Sequence, residues 1–179
     1  GLVPYSLVSA IGPDAGGDAR VADWLATPGD RPPMVLNEWT ARELHAQPGT
    51  IVNLEYFTWL DSGQLVTQLA SFRVAGILPM TGLGVDRRLA PDYPGITTAN
   101  NVSDWDPPFP IDLGLVRPQD EAYWRSYRTA SKAFIPLGSG QSLWRSRHGQ
   151  ITSIRVRPAT ASSGAPLTAA SLAETVAGG

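Results

Sequence analysis

Residues 34–80 read MVLNEWTARELHAQPGTIVNLEYFTWLDSGQLVTQLASFRVAGILPM, and the fold class is read from this stretch. Val35-Leu36 is a short apolar lead-in, and the Asn37 side chain can accept from a free backbone N–H at a helix start. Glu38 and Arg42 stand four residues apart, with Leu36, Ala41 and Leu44 toward one side. This spacing predicts a helix over 37–47, stopped by Pro48-Gly49. Thr50 to Phe57 then alternates, with Val52, Leu54 and Tyr56 on one face and Asn53 and Glu55 on the other, as a half-buried strand does. Asp61-Ser62-Gly63 is a turn, and 64–70 with 71–78 supply one or two returning strands. The unit reads as a capped helix followed by an antiparallel meander. Nothing in it is reactive.

Working outward, Leu2 to Ile11 alternates loosely as a strand, and 19–27 carries Val21, Trp24 and Leu25 on a brief helix. Downstream, five prolines at 91, 94, 107, 108 and 110, with Gly82, Gly84, Gly95 and Gly114, preclude long regular elements from 81 to 116. Leu89, Tyr93, Ile96, Trp105, Phe109, Ile111 and Leu113 are nevertheless too apolar for a floppy linker. The expectation is a long ordered loop with Trp105 and Phe109 largely buried. Pro118 opens a second helix over 118–128, with Asp120 and Glu121 at its positive end and Arg125 and Arg128 at the other. Ala133 to Leu137 reads as a short strand, Gly140 to Trp144 as one helical turn, and Ile151 to Val156 as a final strand after a turn at His148-Gly149. Residues 1–157 are expected to form the domain, in one piece or two subdomains. Residues 158–179 read as an Ala/Ser/Thr/Gly-rich linker or short helix. The predicted class is α+β, with mixed, mainly antiparallel short strands, two main helices and long Pro/Gly-rich loops.

Composition narrows the function classes. A net charge of −2 supplies no overall field for nucleic acid or anionic lipid. The absence of cysteine excludes disulfides, thiolate nucleophiles and zinc–thiolate sites. No run approaches the ~18 apolar residues of a membrane-spanning helix. Gly1 to Pro13 lacks the basic flank of a signal peptide, and the chain reads as a fragment of something longer.

Chemistry-bearing residues are sparse. Asp104-Trp105-Asp106, with Asp112 close behind, places carboxylates beside aromatics, as a secreted carbohydrate-active hydrolase or a ligand-binding module requires. A calcium loop is a further reading, although EF-hand spacing is missing. The plain alternative is aspartates capping turns before prolines. His45 and His148 lack a serine elbow, and the first reads as a surface residue in the last turn of a helix. Gly138-Ser139-Gly140-Gln141 lacks the lysine of a phosphate loop. No catalytic, cofactor-binding or metal-ligating residue is therefore assigned.

The segments VLNEWTARELHAQPGTIVNLEYF, SFRVAGILPM, DRRLAPDYPGI, DWDPPFPIDL, RPQDEAYWRSYRTASKAFIPL and GQSLWRSRHGQITSIRV together resemble one family. It is the extracytoplasmic, MacB-type periplasmic core domain of FtsX-like ABC transporter permeases, and the resemblance spans about residues 2 to 157. It implies a bacterial, non-enzymatic domain held on the periplasmic face of the cytoplasmic membrane, between membrane helices. It further implies a cytoplasmic ATPase as partner, a second permease copy or homologue, and a lipoprotein, peptide, drug or other extracytoplasmic protein as cargo. Nucleotide-driven motion of the membrane helices would move the external domain, a scheme called mechanotransmission. No cofactor is implied.

Overall fold

Met34, Val35 and Leu36 are each at most 1% exposed, so three neighbours in sequence are buried on alternating sides. Only a strand covered on both faces does this. In the computed structural model, which describes residues 1–13, 18–60, 62–107, 109–145 and 149–154, that strand is β2 (Pro33–Asn37). The sequence reading had only an apolar lead-in here. The correction has a simple cause, since a three-residue apolar run has no period of its own to identify it.

The architecture is α+β around one five-stranded mixed sheet. Its other strands are β1 (Val8–Ile11), β3 (Ile51–Trp59), β4 (Leu65–Leu78) and β5 (Ala133–Pro136), in the order β1-β5-β2-β4-β3. β3 and β4 form an antiparallel hairpin, and β2 runs antiparallel to β5. β2 with β4 and β1 with β5 are parallel. The returning chain 64–78 is one 14-residue strand rather than two. At the N-terminus only Val8–Ile11 is strand, since Tyr5 takes a positive φ of 47° and breaks the extended run.

Two cores flank the sheet. Met34, Leu36, Phe72, Val74, Ala133 and Ile135 pack with Ala41 of α2 (Glu38–Leu44) and with Leu143 of α4 (Leu137–Leu143). On the opposite face Val35, Leu78, Phe134 and Ile11 pack with Val21 and Trp24 of α1 (Ala19–Leu25). The ladder between β2 and β4 shifts register between Met34 and Val35, opposite Val74 and Gly76, so Ala75 is the extra residue of a bulge. Gly76 then faces Trp24, and a Cβ there would come within 2.2 Å of the indole. The ring occupies the space that any side chain at position 76 would need.

The helix expected over 37–47 ends at Leu44. Asn37 caps it as predicted, with its Oδ1 accepting from Thr40 N–H at 2.8 Å. His45 takes the left-handed conformation (φ 54°), its N–H donates to the Arg42 carbonyl, and Ala46 N–H donates to the Ala41 carbonyl. This is a Schellman stop, with Ala46 and Ala41 meeting in the core. His45 is thus an exposed cap residue outside the last helical turn. The second helix, α3 (Pro118–Tyr127), begins at the proline as expected. Between β4 and α3 the described residues make 3-10 turns at 82–85, 87–89, 102–104 and 113–115. Residues 151–154 are exposed and form no strand, which corrects the expected final strand. Its remaining residues, His148 and the 158–179 segment lie outside the described residues.

Candidate functional site

Residues 95–107 and 109–116 fold over α3. Ile96 and Val102 are buried against Trp124, with Trp105, Phe109 and Val116 partly buried around them. The Trp105 ring meets Trp124 edge-on at 4.7 Å, and Phe109 reaches Phe57 of the hairpin at 5.5 Å. Trp105 and Phe109 are only half-buried, less than the large burial expected.

The aspartates singled out from the sequence do not converge. Asp104 folds back on its own turn, accepting from the Asn101 N–H at 3.2 Å and from Asn101 Nδ2 at 2.9 Å. Asp112 Oδ1 accepts from Gly114 N–H at 2.9 Å. Its carbonyl accepts from the Tyr5 hydroxyl at 3.1 Å. Asp106 is exposed, and its N–H donates to the Gly95 carbonyl at 2.9 Å. The carboxylate that does organise the loop is Glu121 of α3, which accepts from Val102 N–H at 2.9 Å and Ser103 N–H at 3.0 Å. Sequence reading gave Glu121 only a helix-dipole role, because its partners lie on the far side of a long loop.

Beneath this loop lies a buried polar cluster. Asn37, fully buried, donates through Nδ2 to the Tyr123 hydroxyl at 2.9 Å and to the Ser131 carbonyl at 3.2 Å. The Tyr123 hydroxyl donates on to the Ala130 carbonyl at 3.1 Å. Lys132, only 6% exposed, places Nζ 5.0 Å from the ring centroids of both Trp39 and Tyr123. Its Nζ also donates to the Pro4 carbonyl at 3.4 Å. Asp120, 3% exposed, is held by Arg117 through Nε at 2.8 Å and Nη2 at 3.1 Å, and Arg117 also reaches Glu43 at 3.3 Å. Burial pushes the Lys132 ammonium down to about 8. Asp120 and Glu43 oppose that shift and Arg117 adds to it. Burial also pushes the Tyr123 phenol above its ordinary range.

A cavity of about 20 Å³ touches Lys132, Tyr123, Asp120, Trp124 and Trp105. That is room for a water molecule rather than a sugar or peptide. The Trp105 indole N–H is buried with no partner among the described residues. The arrangement can clamp the N-terminal segment to the sheet, and its one amine is boxed between aromatic faces. Sequence reasoning missed this cluster, although one signal was available: Lys132 is the only lysine among 14 basic residues. Among the described residues no group of three His, Asp or Glu side chains is placed to hold a metal ion.

The chain matches no protein-family model, and comparison with curated proteins and with solved structures likewise finds no match.

Proposed function

We propose that the chain is the extracytoplasmic, MacB-type core domain of an FtsX-like ABC transporter permease. In this reading it catalyses no reaction and couples ATP-driven motion of membrane helices to a partner or cargo outside the membrane. The observation that carries the reading is the adjacency of its motif segments. VLNEWTARELHAQPGTIVNLEYF supplies most of β2, all of α2 and most of β3, SFRVAGILPM supplies the end of β4 that pairs with β2, and the KAFIP run supplies β5. β4 and β5 are the two neighbours of β2, so segments far apart in sequence build the centre of one sheet.

A mechanical role is supported by how the N-terminal segment is tied down. The Leu7 carbonyl accepts from Lys132 N–H at 2.9 Å, and the Pro4 carbonyl accepts from Lys132 Nζ. The Tyr5 hydroxyl is bonded to Asp112, and β1 is laddered to β5. A displacement applied at residues 1–7 therefore reaches β5 and β2 through hydrogen bonds, with no slack segment between. The cytoplasmic ATPase and a second permease subunit are the partners this reading requires, and a lipoprotein, peptide or drug is its class of cargo.

The full gene is expected to encode a membrane helix before residue 1 and others after residue 179. A secretion signal with no later membrane helix would overturn the reading. In the intact permease, flexible Gly/Ser linkers inserted at both junctions are expected to abolish extracytoplasmic function while ATP hydrolysis survives, because a floppy linker carries no directed displacement. Full function with such linkers rejects mechanical coupling.

A further inference from the structure

We propose that the cleft between residues 87–98 and the end of α3 binds a phosphodiester. The cleft has a volume of about 500 Å³, and Arg87, Arg88, Asp92, Thr97, Arg128 and Thr129 line it. Three guanidinium groups on one cleft are conspicuous in a chain whose net charge is −2.

Two of them are oriented without being neutralised. Arg87 donates through Nη2 to the Ser126 carbonyl at 2.7 Å. Arg128 donates through Nη1 to the Ala99 carbonyl, and its guanidinium carbon lies 5.7 Å from the centroid of the Trp124 ring. Among the described residues neither forms an ion pair with a carboxylate, whereas Arg88 is paired with Asp86 at 2.9 Å. Neutral carbonyls fix the direction of a guanidinium and use part of its five-donor fork, leaving its charge without a carboxylate in direct contact among the described residues. Such a fork fits the paired oxygens of a phosphate group.

The backbone adds an independent argument. Arg128 leaves α3 at φ 52° and ψ −123°, a region that glycine enters freely and a bulky residue enters under strain. An arginine there is held against its own preference by the bonds at its N–H and guanidinium. The Ala99 carbonyl and the Trp124 ring hold that charge at the rim of the cleft. Thr129, the next residue, ties the same corner to the opposite wall, its hydroxyl donating to the Arg87 carbonyl at 3.2 Å.

Asp92 limits the ligand. A carboxylate on the same cleft opposes a second negative charge, which favours a singly charged diester over a pyrophosphate or nucleotide. The diester is either the headgroup of an anionic phospholipid or a soluble ester of the same chemistry. The site stands apart from the permease reading, and either can fail without the other.

The test uses the full 179-residue chain, isotope-labelled, titrated with glycerophosphoglycerol at fixed ionic strength and, separately, with phosphatidylglycerol vesicles. Saturable amide shifts are expected at Thr97, Thr98 and Thr129. Arg87→Gln and Arg128→Gly should each weaken binding by about tenfold or more, the usual loss for one charge-assisted pair. Arg87 is exposed, and glycine accepts the backbone at 128, so both variants are expected to fold. Co-sedimentation with vesicles assigns the lipid headgroup, and shifts with the free diester but no co-sedimentation assign a soluble ester. No saturable shift with either probe, or shifts unchanged in both variants, overturns the proposal.

Discussion

The loop over residues 95–116 and the outer half of the β3–β4 hairpin invert the usual relation between regularity and burial. Among its described residues the loop has turns and 3-10 turns but no strand or α-helix, yet Ile96 and Val102 are 6% and 5% exposed. The hairpin is laddered without interruption from Ile51–Arg73 to Trp59–Leu65, yet Trp59 is 60% and Leu69 64% exposed. Hydrogen bonding explains neither outcome. In the loop, backbone groups are satisfied one at a time, by Glu121 and by the Ala99 carbonyl accepting from Trp124 Nε1 at 3.1 Å. In the hairpin every pair is made, but β2 joins β4 only from Arg73 onward, so residues 65–72 have a neighbour on one side alone. Burial is decided by what lies across an element, and a regular ladder does not supply that.

The sharpest way to test this contrast is to hollow out the irregular region. Trp124→Ala removes a side chain 3% exposed, to which Trp105, Ile96 and Val102 all pack. It is expected to destabilise the chain by ~3–5 kcal/mol in urea titration, the range for a buried aromatic leaving a cavity. Trp105→Ala, half-buried, should cost less, about 1.5–3 kcal/mol. If both variants unfold at the wild-type midpoint, the loop is a surface feature and the contrast with the hairpin disappears.

The next effect comes from the polar cluster beneath the loop and is read in pH. Burial lowers the folded-state Lys132 to about 8 from an ordinary 10.5, so the unfolded chain binds more protons between those values. Stability therefore rises with pH from about 8 toward 10.5, relieving a cost on the order of 3 kcal/mol that is fully present at neutral pH. Tyr123 acts in the opposite sense. Its folded-state value is raised above the ordinary 10.0, so above that pH the unfolded chain loses a proton that the folded chain keeps, and stability falls. Denaturation midpoints are expected to climb from pH 8 to about 10 and then turn over. Lys132→Met should abolish the climb, and a flat profile in the unaltered chain would mean the amine reaches solvent.

Which of these features was legible beforehand follows the range of the interaction. Asn37 announced its helix because a cap acts on an N–H three residues away. Pro118 did so because proline suits a first helical position. The alternation of 51–57 gave β3, although alternation identifies faces and says nothing about whether a partner covers them. β2 was missed because its register depends on strands forty and a hundred residues distant. The bond between Asn37 and Tyr123 spans 86 positions, and no local pattern marks either end. The arginine cleft was hidden by averaging, since a net charge of −2 sums over acids most of which lie away from it. The aspartates at 104 and 112 were visible by type, but only their turns reveal that each is already engaged.

The smallest expected effect lies on the exposed surface of the hairpin arm. Trp59 and Leu69 project from the two strands of the arm, and both are mostly exposed. Threonine keeps the β-branched preference of a strand while removing most of the apolar area. Trp59→Thr and Leu69→Thr should each shift stability by no more than about 0.5 kcal/mol, the range of surface substitutions that break no packing. Their larger consequence should appear in solubility, because exposed apolar groups on an edge hairpin favour association between chains. Sedimentation at rising protein concentration is expected to show less self-association in the double variant than in the unaltered chain. A loss above about 2 kcal/mol from either single change would require a covering element across the arm. The hairpin would then be buried after all, and its exposure could no longer be set against the packed, irregular loop.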